Sequence, residues 1–311
     1  MSNDKPFVHI SVLKDEAIEL LALKDGGVYF DGTLGGGGHT ESILAGTCGG
    51  VVYATDLDEV AIAAAKKRLS RYADRLKVFH DNFKNFAEIT KGVKFDGILL
   101  DLGVSSPQLD DKERGFSYLG KEEKLNMKMD DGQSLSAYEV VNEYSEKDLE
   151  RIIREYGEEK FSRSIAQNIV KERQKAPIET CGALVDIIDR SIPFKFKRDT
   201  HPAKKTFQAI RIEVNGELDG LDKALYDMAD ALKSGGTLAV ITFHSLEDRI
   251  VKNIFKDLTT GCICDKRIPI CVCHRIKRCE EITHKPVISG EEELKNNPRA
   301  KSAKLRVIKK I

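Results

Sequence analysis

A chain of 311 residues, 41% hydrophobic and 32% charged, has apolar material for one large or two ordinary domains with buried cores. Fifty basic side chains balance fifty acidic ones, so net charge alone calls for no polyanionic partner. No apolar run reaches membrane-span length and no basic-then-apolar leader opens the chain, which predicts a soluble cytosolic protein without a membrane partner.

The first hundred residues alternate strand-like and helix-like runs. Val28–Asp31 is a short strand leading into Gly32-Thr33-Leu34-Gly35-Gly36-Gly37-Gly38-His39, and a helix follows through Ile43 and Leu44. Val51–Thr55 is a second strand ending at Asp56, and Val60–Leu69 reads as a helix. Leu76–His80 is a third strand and Phe95–Leu102 a fourth, carrying Asp101 near its end. This alternation predicts an α/β fold with a parallel sheet and crossover helices.

The middle differs. Asp148–Tyr156, Lys160–Arg173, Thr180–Ser191 and Pro202–Asn215 have helical periodicity with no strand between them. Leu218–Leu232 is another helix, and Ser234-Gly235-Gly236 turns into a buried strand at Thr237–Phe243. The expected organisation is a discontinuous sheet domain, residues 1–106 and 214–311, interrupted by a helical insert at 107–213. Beyond Gly261 the chain is irregular, closing with an edge strand at Lys304–Ile308.

Charge is unevenly distributed. From Lys252 onward there are fifteen Lys/Arg against seven Asp/Glu, leaving the upstream part acidic, and Lys195–Arg211 holds six Lys/Arg against one acid, Asp199. Such clusters fit a localised phosphate-binding face or an ordinary solvated surface.

The glycine run lets backbone approach a ligand closely. It lacks the Lys of a phosphate-binding loop, and counted from Gly35 the third glycine of a dinucleotide fingerprint is replaced by Thr40, which weakens an NAD-type oxidoreductase reading. Asp56, about twenty residues beyond the glycines, stands where an acid binds ribose hydroxyls. Asp58 is the poorer candidate. A glycine loop with a ribose acid and no pyrophosphate-binding apparatus fits an adenosyl cofactor. Asp101 lies at the carboxyl edge of the sheet, where ligand crevices form, and Phe83 reads by spacing as core or as a platform for adenine.

Beyond these separate signals, long strings resemble the bacterial small-subunit ribosomal RNA cytosine-N4 methyltransferases. They are His9-Ile10-Ser11-Val12-Leu13, Asp31-Gly32-Thr33 through His39, Leu100 through Asp110, Arg114-Gly115-Phe116-Ser117, His201 through Ile212 with Val214-Asn215, Thr242 through Arg249, and Asn297 through Arg306. The resemblance implies a class I methyltransferase (Rossmann-like) sheet domain with an inserted helical domain, S-adenosylmethionine as donor, and a cytidine near the 3′ end of 16S rRNA in the small ribosomal subunit as acceptor. It also implies cofactor contacts at Gly37, Gly38, His39, Asp56, Phe83, Asp101 and Gln108.

Amino-methyltransferases commonly carry Asp/Ser-Pro-Pro-aromatic after the fourth strand; here Asp101-Leu102-Gly103-Val104 stands there, with a proline only at Pro107. The amine is therefore held either by Asp101 or by the segment containing Ser105, Ser106 and Pro107. Gln208, Arg211 and Asn215 share one helix face by spacing, and with Lys205 they are expected substrate contacts through the matched string. His244 and Ser245 are expected at the opposite wall of the crevice. A non-catalytic ribosome-assembly factor retaining the adenosyl-binding fold is the alternative reading, and the sequence leaves a homodimer open. Five of seven cysteines, Cys262, Cys264, Cys271, Cys273 and Cys279, have the density of a zinc knot, but the resemblance requires no metal, the usual C-x-x-C pairs are missing, and none is assigned.

Overall fold

The computed structural model describes residues 11–104, 108–109, 111–197, 201–265, 270 and 272–311. The expected amine-holding residues Ser105, Ser106 and Pro107, together with Cys271 and Asp199, lie outside the described residues. The chain folds as two compact units, one made of residues 1–103 and 220–311 and one of residues 104–219.

The first unit is built on a seven-stranded sheet. Its strands are β1 (Val28–Asp31), β2 (Val51–Asp56), β3 (Leu76–His80), β4 (Phe95–Asp101), β5 (Leu232–Thr242), β6 (Cys279–Glu281) and β7 (Lys304–Lys310). The order is β3-β2-β1-β4-β5-β7-β6. β1 to β5 pair in parallel, while β7 runs antiparallel to both β5 and β6. Helices α1 (Lys14–Leu21), α2 (Gly38–Ala45), α3 (Glu59–Arg68), α4 (Phe86–Thr90), α10 (Leu221–Ala231), α11 (Ser245–Thr259) and α12 (Glu291–Asn296) complete this unit.

Side-chain alternation sorts the sheet into two buried faces. Tyr29, Leu99, Ala239 and Ile241 pack with Ala17, Leu21, Ile43, Leu44 and Ala65. Phe30, Ile98, Leu100, Leu238 and Val240 turn the other way, onto Leu225, Met228, Val251 and Phe255. Asp58 caps α3, its carboxylate accepting from the Val60 and Ala61 N–H groups, which accounts for an acid beside Asp56.

The second unit is helical: α5 (Ala137–Glu143), α6 (Glu146–Glu155), α7 (Ser162–Arg173), α8 (Cys181–Ser191) and α9 (Lys204–Asn215). Leu149, Ile152 and Ile153 on α6 and Leu184, Ile187 and Ile188 on α8 repeat at i, i+3, i+4 and enter one core with Val140, Ile165, Phe207 and Ile210. Ser136 starts α5 with a capping box completed by Glu139, and Thr180 caps α8. The unit extends to residue 219, beyond the expected 213, because Asn215 bonds to Met127 and Met129 and Arg211 pairs with Glu217.

Three sequence expectations need correction. Lys304–Ile308 is no edge strand: β7 is flanked on both sides, and the short β6 forms that edge. Ser234-Gly235-Gly236 lies inside β5, where Gly235 takes φ +79° and the pairing with β4 shifts register between Phe95 and Gly97. The tail beyond Gly261 is more ordered than its composition suggests, holding β6, α12 and β7. Among the described residues, no helix is long and apolar enough to cross a membrane.

Phe30 is fully buried and meets Phe86 edge-on at 4.9 Å and Phe95 at 5.8 Å. Phe30→Ala is expected to cost about 3–5 kcal/mol of the sheet unit's stability, read as a lowered urea midpoint.

Candidate active site

Parallel strands all present their carboxyl ends on one side, and the order reverses between β1 and β4, where open α/β sheets bind ligands. Three adjacent strands end there in an acid: β2 in Asp56, β1 in Asp31 and β4 in Asp101.

The glycine loop joins β1 to α2. Gly37 has φ +77°, a left-handed conformation that costs a side-chain-bearing residue, and a Cβ there would lie 3.0 Å from Leu69. A Cβ on Gly38 would fall 2.0 Å from the Ser11 hydroxyl. These two glycines therefore have packing reasons within the unit as well as the expected role at a ligand. The loop is tied to the second acid: Gly35 N–H donates to Asp56 Oδ2 at 2.7 Å, and Asp58 N–H donates to Oδ1 at 2.9 Å. Each carboxylate oxygen retains a second acceptor direction, enough for a vicinal diol. Burial raises the Asp56 pKa, and the Asp58 charge adds to this.

Asp31 is buried, with one oxygen accepting the Thr40 hydroxyl at 2.6 Å and the other the Thr33 N–H at 3.1 Å. Desolvation, assisted by the charge of Asp56, pushes its pKa up to about 6.

Asp101 is the most perturbed of the three. Its backbone N–H donates to Thr33 Oγ1 at 2.6 Å. Its Oδ2 lies 3.8 Å from His39 Nδ1, and His39 Nε2 points at the Val12 carbonyl at 3.2 Å, an arrangement in which Nε2 carries the proton. Its Oδ1 is buried and has no hydrogen-bond partner among the described residues. Burial holds the pKa well above the usual carboxylate range, and the charges of Asp31, Glu247 and Glu293 push in the same direction.

The sequence reading missed Asp31, Glu247 and Glu293 as members of this acidic edge. Asp31 carried a readable signal, since it ends β1 before a glycine much as Asp56 ends β2. Glu247 sits three residues into α11, accepting from the Phe243 N–H at 2.9 Å and the His244 N–H at 3.3 Å. Glu293 on α12 accepts the Leu13 N–H at 2.8 Å, and no local pattern announces it.

Phe83 opens a turn after β3 and is half-buried against the face containing Phe30, so one side packs on the core. His244 caps α11: its Nδ1 accepts the Glu247 N–H at 3.4 Å, and its Nε2 lies 3.1 Å from Glu247 Oε1. Ser245, the next residue, is exposed.

In the helical unit, Gln108 is buried. Of the α9 residues, Gln208 donates to the Tyr156 carbonyl at 2.9 Å, and Arg211 makes a two-pronged ion pair with Glu217 at 2.7 and 2.8 Å. Asn215 donates to Met127 O and accepts from Met129 N–H, both at 2.8 Å. These three hold the unit together. Lys205 is exposed, with Nζ 3.0 Å from the Glu158 carbonyl.

Comparison with known proteins decides the family. The model of the MraW methylase family matches residues 6–311. The chain belongs to the MraW methylase family. Curated relatives include "Ribosomal RNA small subunit methyltransferase H" of Fusobacterium nucleatum, 53% identical over 97% of both chains. Proteins of the same name from Clostridioides difficile and Clostridium botulinum (strain Kyoto) are 49% and 52% identical over 98% of this chain and 99% of theirs. This MraW-family chain is an α/β methyltransferase that uses S-adenosylmethionine as methyl donor. The acidic edge suits such a donor: Asp56 offers acceptors for ribose hydroxyls, while Asp101 Oδ1 and its acidic neighbours favour a cationic ligand.

An acid whose folded pKa exceeds its unfolded value loses stability as pH rises between the two. For Asp31 that window runs from 3.8 to about 6. Asp31→Asn is expected to gain on the wild type by about 3 kcal/mol across this window and to keep the gain above it, measured as unfolding free energies at successive pH values.

Proposed function

We propose that this chain transfers a methyl group to the N4 amine of one cytidine in 16S rRNA, within the small ribosomal subunit and in the cytoplasm. The geometric observation that carries this reading is Asp101 Oδ1, a buried acceptor at the carboxyl end of β4 with no hydrogen-bond partner among the described residues. The names of the relatives support the rRNA.

S-adenosylmethionine, when bound, supplies a methyl group on a sulfonium, already a good leaving group. The protein has to bind, align and desolvate the two reactants. Asp56 orients the nucleoside through its hydroxyls, and the half-buried Phe83 offers one ring face to the base. The exocyclic amine is a weak nucleophile because its lone pair delocalises into the ring. Asp101 Oδ1 accepts one of its hydrogens, which draws electron density back onto nitrogen, and takes the proton lost when the N–C bond forms. His39 Nδ1 lies beside the other oxygen at 3.8 Å.

A cytosine in folded RNA must leave its stack to reach an enclosed carboxylate. Lys205 and its basic neighbour Lys204 offer charge to the phosphates of a displaced strand, whereas Gln208, Arg211 and Asn215 act by keeping α9 in shape. His244 bounds the site through its hold on Glu247, with the Ser245 hydroxyl exposed beside it.

The decisive experiment is transfer of labelled methyl to purified small subunits, followed by nucleoside analysis. Label on cytosine N4 is expected, with kcat reduced at least about 10²-fold in Asp101→Asn. Cofactor binding without label on any small-subunit preparation would contradict this reading and favour an assembly factor.

A further inference from the structure

The segment after α11 is fastened at its ends but has little of its own to bury. Arg275 pairs with Asp257, Arg278 pairs with Asp230, and Arg278 N–H donates to the Leu258 carbonyl at 3.0 Å. Between the end of α11 and these ties, Ile263, Ile270 and Val272 are 59–75% exposed. Among the described residues of the segment, apolar burial therefore contributes little to its order, the situation in which small protein segments rely on a covalent or metal staple.

Among the described residues, three cysteines meet there. The sulfurs of Cys262, Cys264 and Cys273 all lie within 4.8 Å of one another. Cys262 and Cys273 are 3.7 Å apart, far beyond the about 2.05 Å of a disulfide. Two backbone groups are aimed at the trio: Ile263 N–H lies 3.5 Å from Cys273 Sγ, and Val272 N–H lies 3.4 Å from Cys264 Sγ. Sulfur is the ligand type that zinc-class cations select, and backbone N–H groups directed at ligating sulfurs orient and stabilise them once a cation is bound. A tetrahedral zinc ion with Zn–S bonds of about 2.3 Å sets its sulfurs about 3.8 Å apart, close to the Cys262–Cys273 separation.

We propose that Cys262, Cys264 and Cys273 form a structural site for a thiolate-binding divalent cation of the zinc class. Binding replaces the thiol protons, which pass to solvent, and ties Cys262 and Cys264 to Cys273. The ion takes no part in methyl transfer. Cys279 is excluded from the set, being buried in β6, and Cys48 lies in the turn after α2.

The test uses the full chain, purified under reducing conditions and loaded with zinc chloride or cobalt chloride alone. About one zinc per chain is expected by elemental mass spectrometry. Cobalt should give a thiolate-to-metal charge-transfer band and the intense visible bands of a tetrahedral site. Cys262→Ser and Cys273→Ser should each weaken zinc at least about tenfold in competition with a chromophoric chelator, while Cys48→Ser should not. The cobalt spectrum of the wild type needs no variant, so a poorly folding substitution cannot obscure the answer. Absence of the tetrahedral cobalt spectrum, or metal retained at full affinity in Cys262→Ser/Cys273→Ser, would overturn the proposal.

Discussion

Carboxylates crowded under poor solvation at the end of a parallel sheet are the constraint on which the site depends. Asp31, Asp56 and Asp101 come together because β1, β2 and β4 are parallel neighbours that each end in an acid. Folding takes them out of water, and each pKa rises in response, with charge repulsion adding to the effect. An arrangement that costs stability in isolation becomes a source of affinity when a cation enters. S-adenosylmethionine carries a sulfonium and an ammonium, and on the proposed reading these relieve the strain among the carboxylates. Glu247 and Glu293 extend the same field from α11 and α12, two helices far apart in sequence that converge near β4.

Much of what surrounds this edge is scaffolding, and long matched strings do not distinguish scaffold from site. The string from Thr242 to Arg249 contains the α11 cap, built by His244 and Glu247, and Asp248, which anchors β7 through Arg306 at 2.7 Å and Lys304 at 3.0 Å. The string from His201 to Asn215 is dominated by groups that satisfy backbone inside the helical unit. A Cβ on Gly38 would press against the Ser11 side chain.

The parallel strands β1 to β4 were legible because each is short and followed by a turn or a helix pattern, and β5 was legible only in its apolar second half. Asp56 and Asp101 could be singled out by position alone. β6 escaped because three residues with two glutamates carry no strand signature, and without β6 the flanking of β7 could not be seen. α12 escaped for a related reason: Glu291-Glu292-Glu293 reads as a solvated acidic run, yet Glu293 turns inward to the Leu13 N–H. Its role comes from a contact between the two ends of the chain, which no local period encodes. The polar face of α9 shows the limit of periodicity in another way. Spacing placed Gln208, Arg211 and Asn215 on one face but does not encode their bonds to backbone carbonyls and Glu217.

The central claim is that a cation relieves a set of reluctant carboxylates. Its most direct test is the proton balance of S-adenosylmethionine binding, obtained by calorimetry in buffers of different ionisation enthalpy near pH 6, where Asp31 titrates. The account predicts net proton release on binding, because a bound cation lowers the pKa of Asp31 and Asp101, and a smaller release for Asp101→Asn. Binding with no change in protonation, or with the same release in the variant, would contradict it.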